Sequence, residues 1–471
     1  QMYLFIESAI RGGVSMIAHR HGVANNGVNS DVTKPASYLA YWDANNLYGW
    51  AMSQSLPTGR FRWLDGVEVE SFTPDKIVNI ADDADTGYFF EVDLEYPDHL
   101  HHLHNSLPLA PEKVTVDKEM YSPYAAFFDK DFVPSEKLIP MLSNKSNYVT
   151  HYRNLKFCIE HGLKVNKIHG ILSFSQSFWM RNYIELNTEN RKRAVDEFEK
   201  DFFKLMNNAV FGKTIENVRH RIEIKMVTKE NRLKKLAAKP NCKFSIRVNN
   251  DLVMVNMGQP KLLLNKPIYV GFSILDISKT LIYKFHYDTV MKRYGPDNAK
   301  LLFTDTDSLC YQIETEDLYK DMSQMIDEFD TSNYPVEHPL FSKTNAKVLG
   351  KFKDETASVP PIEFIGLKSK MYSLLVTPND PAKLTAKGVK RSWVEANLRH
   401  DTFRDVLFKK AVTYADFQKF VSKNHSIHTT LLHKKCLDAF DDKRYLLDDG
   451  ISSLSYGHME IPLAKRRRLA E

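Results

Sequence analysis

The sequence predicts an α+β fold, and three observations carry that expectation. Strand-like segments occur at residues 36–43, 88–96 and 300–313, helical periodicity occurs at 188–211 and 274–294, and a strand-rich stretch at 222–269 separates the two helical regions. The 471 residues are 43% hydrophobic with 19 Gly and 20 Pro, which supplies a large core and excludes a collagen-like or globally disordered chain. At roughly 150 residues per domain, the length allows about three domains.

Residues 36–43 alternate as a strand that delivers Asp43 at its end, before the turn-like Ala44-Asn45-Asn46. Tyr88 to Tyr96 is strand-like, and Lys137 to Gly162 reads as helix, with Tyr148, Tyr152, Leu155 and Ile159 spaced along one face. The clearest helix is 188–211. Thr188 is its expected N-cap, and Val195, Phe198, Phe202, Leu205, Met206 and Ala209 form an apolar side. On the opposite side Arg193, Lys200, Lys204, Asn208 and Phe211 fall within about 40° of one direction, so cationic heads and an amide point together. Such a stripe is a plain solvated face unless something anionic lies opposite.

Between residues 222 and 269 three short strand runs are separated by basic or Asn-containing turns, which reads as a β insertion. Helix returns at 274–294, and Lys300 to Ile313 reads as two apolar strands joined by an acidic turn. Ser392-Trp-Val-Glu395 has the form of a capping box ahead of helix to about Val421.

Composition narrows the function. Cys158, Cys242, Cys310 and Cys436 form no CxxC pair, which argues against a disulfide scaffold or zinc finger. No apolar run reaches the roughly 18 residues of a membrane span, and the N-terminus lacks a signal-peptide layout, so an intracellular protein with no membrane partner is expected. Charge is unevenly divided: 20 basic and 12 acidic residues lie from Lys368 to Glu471, net +8, against net −3 for residues 1–367. A basic last quarter fits a grip on a polyanion, although solvated helix faces also produce one.

Asp305 and Asp307 stand two apart at the hairpin tip. On a strand they share a face and project together, whereas a tight turn splays them. With the distant Asp43 they make an oxygen-only set that suits Mg²⁺; an ordinary acidic turn is the alternative.

Asp43-Ala-Asn-Asn-Leu-Tyr48 after a strand, Lys204-Leu-Met-Asn-Asn208-Ala-Val-Phe211-Gly212 on a cationic helix, and Phe303-Thr-Asp305-Thr-Asp307-Ser308 in a hairpin resemble, in order and content, motifs A, B and C of family B DNA polymerases. Lys370-Met371-Tyr372 stands where that family carries K-x-Y, so the resemblance spans residues 36–392. It is closest to the protein-primed subgroup, and Tyr41 to Trp50 and Phe198 to Asn208 are most similar to its Polinton (Maverick) and virus-like branch.

The resemblance implies a right-hand polymerase with an antiparallel palm sheet, helical fingers and thumb, and two insertions. Residues 1–54 would open the palm with motif A, 55–187 would hold the insertion that contacts a priming protein and template, and 188–221 would form the fingers. Residues 222–268 would be the second insertion, encircling DNA for strand displacement, 269–367 the palm with motif C, and 368–471 the K-x-Y motif and thumb. Asp43, Asp305 and Asp307 would be catalytic and hold two Mg²⁺ ions, with Mn²⁺ possible. Tyr48, Arg193, Lys200, Lys204, Asn208 and Phe211 would bind the dNTP, Tyr48 as the steric gate. Gly212, Ser308, Lys370, Tyr372, Lys387, Lys390 and Arg391 would contact DNA or primer; for the last three an exposed basic turn is the plain alternative. The implied partners are template-primer DNA, dNTPs and a terminal protein.

Four positions depart from the family pattern: Gly49 replaces its Pro, Ala209 its Ser, Phe211 and Phe303 its Tyr residues. Altered fidelity is expected from the lost hydroxyls. Asp93-Leu-Glu95 has the form of a proofreading motif but follows motif A and reads as structural, and His99, His101, His102 and His104 read as a polar loop. Only 42 residues precede Asp43, too few for the family's exonuclease domain, so proofreading is not expected from this sequence. The competing readings are an RNA-templated polymerase and an inactive nucleic-acid-binding remnant. A nucleus or viral replication site is the expected location, with Lys465 to Arg468 one potential nuclear signal.

Overall fold

Alternation within Ser37–Ala44 organises the centre of the molecule. Leu39 and Tyr41 turn to one side, among Ile17, Phe303, Phe364 and Tyr372, while Ala40, Trp42 and Ala44 turn to the other, among Phe285, Phe329 and Phe352. Asp43 continues the Leu39–Tyr41 side and carries its carboxylate to the end of that face. The computed structural model describes residues 1–27, 30–128, 133–377, 383–423 and 426–462, so Lys465 to Arg468 lie outside the described residues.

The six-stranded central sheet runs in the order Ser15–Ile17, Ala299–Asp305, Ser308–Glu314, Ser37–Ala44, Phe352–Asp354, Phe329–Asp330. Every pair is antiparallel except the last, Phe329–Asp330 with Phe352–Asp354. A four-stranded sheet of Lys383–Ala386, Met371–Leu375, Glu363–Lys368 and His21–Val23 covers the Tyr41 side. On the other flank a second four-stranded sheet includes Thr86–Glu95, and the buried helix Ile268–Lys284 packs beside it through Phe272. No helix among the described residues is long and apolar enough to cross a membrane.

Several expectations are corrected. Lys137 to Gly162 is not one helix: strands Glu136–Ile139 and Lys145–His151 precede a helix confined to Tyr152–Glu160, so Tyr148 sits on a strand. The 188–211 helix is two helices, Arg181–Arg193 and Glu197–Thr214; Asp196 caps the second, while the Thr188 hydroxyl lies mid-helix and donates to the Ile184 carbonyl at 2.7 Å. The apolar side of the second helix points outward, with Phe198 79% and Leu205 62% exposed. Asn207 and Thr214 face inward instead, and Gly271 on the buried helix admits the close approach, since a Cβ there would collide with Ile215.

The 222–268 segment is a three-stranded sheet, Glu223–Val227, Leu252–Met257, Cys242–Asn249, but it also holds a helix, Glu230–Ala237, seated through Leu233 and Leu236 on Val227, Val255 and Met257. Helix does not continue to Val421. Helices Arg391–Asn397 and His400–Lys409 give way to a long hairpin, Thr413–Lys423 with Ser426–Leu437, and Lys390, without a side-chain bond, is the first helix's N-cap rather than Ser392. Lys410 in the left-handed conformation, φ 56°, ends the second helix.

Candidate active site

The hairpin turns tightly. Asp305 ends one strand and Ser308 begins the next, Thr306 between them has φ 72°, and Asp307 N donates to Asp305 O at 2.9 Å. Thr306 N in turn donates to Val14 O at 2.7 Å, which fastens the tip to the edge strand. Asp305 Oδ1 lies 3.0 Å from Lys370 Nζ, whereas the Asp307 charge acts on Asp43.

Asp43 stands opposite Ser308 in the ladder, and Ala44 N donates to Asp307 O at 2.7 Å. Burial first, then the charge of Asp307, raises the Asp43 carboxyl well above the usual carboxylate range; Lys383 and Lys204 pull it back. Asp307 is raised too, chiefly by burial, with Asp305 adding to it and Lys370 and Lys204 opposing. Two half-buried like charges at adjoining registers are costly unless a cation joins them. Their all-oxygen chemistry fits Mg²⁺ or Mn²⁺. Among the described residues no three His, Cys, Asp or Glu side chains gather to hold one ion, so the pair leaves most of an octahedral shell to water or substrate oxygens.

The segment after Asp43 is held from below. Asn45 N donates to Lys351 O at 2.8 Å and Asn45 Nδ2 to Asp330 Oδ2 at 2.8 Å. Asn46, at φ 42°, caps helix Leu47–Met52 by accepting from Gly49 N, and a Cβ on Gly49 would strike the Asn46 side chain. Glycine at this departure from the family pattern therefore matches the cap beneath it. Tyr48 leaves that helix to stack on Phe211, ring centroids 4.4 Å apart and planes 23° apart. Burial, then Asp307 and Asp305, pushes the Tyr48 hydroxyl up to about 12, which places it within reach of both charges.

The Lys204 charge acts on both Asp43 and Asp307. Lys200 is further along, paired with Glu197 at 2.6 Å. Arg193 is exposed at the end of the preceding helix, across the break at 194–196, and so does not share a helix with Lys204. Asn208 and Gly212 are exposed and Phe211 is half-buried on helix Glu197–Thr214. Four cations escaped the sequence reading. Arg191, Lys347 and Lys353 line a cleft of about 150 Å³ with Asn45, Asn46 and Asp330, and Lys383 stands 4.3 Å over the Tyr41 ring while acting on Asp43. Arg191 had a signal in the run Arg191-Lys192-Arg193; the other three lie outside any periodic pattern.

Lys370 occupies the turn between Glu363–Lys368 and Met371–Leu375 at φ 60°. Tyr372 is buried at 4% exposure, its ring stacked 4.4 Å from Phe303 and its hydroxyl 3.4 Å from that of Tyr41. Ser308 is buried beside the Tyr41 hydroxyl. Lys387, Lys390 and Arg391 are exposed, and Lys387 and Arg391 line an open groove of about 1370 Å³ with Arg399 and Arg404. Asp93 is tied to His169 at 2.8 Å and Glu95 to Lys164 at 3.1 Å, both across the sheet. His104 Nδ1 is bound to the Tyr96 hydroxyl at 2.7 Å.

The fold is that of right-hand polymerases. It is similar to a solved structure of phi29 DNA polymerase in an orthorhombic crystal form, with TM-score 0.54 and 14% identity, covering 92% of this chain and 62% of that one. A phi29 DNA polymerase complexed with primer-template DNA and incoming nucleotide substrates gives TM-score 0.53 at 13% identity, with 93% and 62% covered. A third, complexed with primer-template DNA alone, gives 0.52 at 14%, with 92% and 62% covered. The chain thus spans 62% of the length of these structures. Comparison with curated proteins gives no sequence match. The family described as DNA polymerase type B, organellar and viral, matches residues 1–284, more than half of the sequence, and the chain belongs to that family.

Proposed function

We propose that this chain is a DNA-directed DNA polymerase that adds deoxynucleotides to a primer 3′-oxygen, or to a protein hydroxyl, for replication of a viral or mobile-element DNA. The observation that carries this reading is the half-buried Asp43–Asp307 pair, with Lys204 acting on both carboxylates and the Tyr48–Phe211 stack beside them. Family membership supports it, as does likeness to polymerases solved with primer-template DNA and incoming nucleotides.

Two divalent cations, Mg²⁺ or Mn²⁺, would be held by Asp43 and Asp307 and would supply activation of the attacking oxygen and charge relief for the departing pyrophosphate. The remaining work is positioning and neutralisation by this chain's side chains. Lys204, with Lys200, Arg191 and Arg193 further out, offsets the triphosphate charge, and Asn208 and Gly212 border the nascent pair. The Tyr48 ring, braced by Phe211, closes the space a 2′-hydroxyl needs. Lys370 leaves Asp305 for the primer-terminal phosphate, Tyr372 and Ser308 support that hairpin through Phe303 and Tyr41, and Lys387, Lys390 and Arg391 take duplex phosphates. Residues 1–54 and 269–367 form the palm, 188–221 the fingers and 368–471 the thumb. The segments 55–187 and 222–268 are the insertions that meet a terminal protein and surround DNA during strand displacement.

The test is primer extension with Mg²⁺ and dNTPs on a DNA and on an RNA template, run beside Asp307→Ala. Extension on DNA alone, absent in the variant, supports the reading. Preference for the RNA template favours the RNA-templated alternative. No extension, or equal extension by both proteins, overturns the polymerase reading and leaves a nucleic-acid-binding remnant.

A further inference from the structure

Four consecutive charged residues, Asp441-Asp442-Lys443-Arg444, run through the interior just after the long hairpin; Asp441 is 2%, Asp442 7% and Arg444 1% exposed. Three have evident structural work. Asp442 pairs with Lys137, Arg444 donates to the Ser453 and Ser455 hydroxyls at 2.6 Å each, and Asp441 accepts from Lys443 N at 3.1 Å and faces Arg20. The Lys443 side chain goes elsewhere: its Nζ donates to Ser15 O at 2.6 Å.

Ser15 lies opposite Asp305 in the ladder. Its hydroxyl is 2.7 Å from that of Ser369, the neighbour of Lys370, and the adjoining Val14 O accepts from Thr306 N. A Cβ on Gly13 would strike the Thr306 side chain, so the edge strand and the hairpin tip are in close contact. The strand that Lys443 holds is therefore the one that supports Asp305 and the Lys370 turn together. The charged groups that act on the Lys443 ammonium are Asp441, Lys137, Asp442 and, least, Asp305; burial and Lys137 hold its pKa down while the three carboxylates raise it.

We propose that Lys443 is a positioning residue for the primer end, fixing the edge strand beneath Asp305 and balancing that carboxylate when Lys370 leaves it for a primer phosphate. This rests on the polymerase reading above. Asp305 holds Lys370 at 3.0 Å, and a primer phosphate must compete for that lysine. With Lys443 in place Asp305 keeps a counter-charge after the exchange. Without it, the whole carboxylate charge opposes release of Lys370, and primer binding weakens.

The experiment measures primer-template affinity by fluorescence anisotropy and dNTP KM by extension, for the native chain, Lys443→Met, Lys443→Gln and Lys443→Arg. Lys443→Met is expected to raise the primer-template Kd about tenfold, the scale of one charge-assisted contact, with dNTP KM unchanged. Lys443→Gln keeps a donor toward Ser15 but no charge and should show the same loss, which keeps the test valid if the Met variant misfolds. Lys443→Arg should recover most of the affinity. In an Asp305→Asn background Lys443→Gln should change Kd less than about twofold, because the carboxylate to be balanced is gone. Native-like affinity of Lys443→Gln, or an equal loss in the Asp305→Asn background, overturns the inference. Failure of the native chain itself to bind primer-template overturns the polymerase reading on which it rests.

Discussion

The Asp43–Asp307 end of the central sheet and the Asp441–Arg444 segment both take ionisable side chains out of water, but they resolve the cost in opposite ways. In the second region Asp442 pairs with Lys137 and Arg444 is held by the Ser453 and Ser455 hydroxyls, while Asp441, raised by burial and by Asp442, is opposed by Arg20 and Lys443. In the first, two acids face each other and both are raised by burial, while Lys204 and Lys383 act on Asp43 without forming an ion pair with it among the described residues. Internal neutralisation marks a latch between parts of the fold. An uncompensated like-charge pair marks a seat for something the chain does not supply.

That contrast is broken most severely by exchanging what each region does under mutation. Asp307→Ala is expected to reduce primer extension at least about 10³-fold, the scale of losing preorganised charge stabilisation, while leaving the unfolding midpoint of the metal-free protein unchanged or raised. Lower stability without loss of extension would reverse the assignment of the two regions. Arg444→Met should do the opposite, costing about 1–3 kcal/mol in urea unfolding because the buried Ser453, Ser455 and Asn105 oxygens it serves are left unpaired.

A smaller effect comes from pH. Folded Asp43 holds its proton up to about 8, whereas an unfolded aspartate releases it near 4, so the folded state binds more protons across that window. Stability of the metal-free protein therefore falls as pH rises from about 4 to about 8, and the full cost is present above that. A cation relieves that cost, so added Mg²⁺ should raise the thermal midpoint more at pH 8 than at pH 6; an equal rise at both would show that the pair does not bind it. The smallest expected change is at the ring beneath the incoming base: Phe211→Tyr restores one hydroxyl and should alter misincorporation a few-fold, measured by single-nucleotide insertion, with identical rates counting against a role for that hydroxyl.

The hairpin and the strand that carry Asp305, Asp307 and Asp43 are legible in the sequence because one is a pair of short apolar runs, the other alternates, and both end in polar turns. The pairing of Asp307 rather than Asp305 with Asp43 is not, since it depends on Thr306 adopting a positive φ, which no pattern announces. Helix Glu197–Thr214 misleads for a different reason. An apolar stripe normally seeks the core, but here Phe198 and Leu205 are exposed while the Lys204–Phe211 line turns to the carboxylates. Site geometry overrides amphipathicity at that helix. Likewise Lys347, Lys353 and Lys383 reach the site only through chain folding. The long hairpin at 413–437 reads as helix at its start because Tyr414, Phe417 and Val421 also satisfy a helical spacing.

The most direct test of the uncompensated pair is a Mn²⁺ titration at pH 8 followed by electron paramagnetic resonance, comparing the native chain with Asp307→Asn. Specific Mn²⁺ binding by the native chain, lost in Asp307→Asn, is the result expected of a cation seat. Equal binding by the two proteins, or none by the native chain in the presence of primer-template and dNTP, would contradict it.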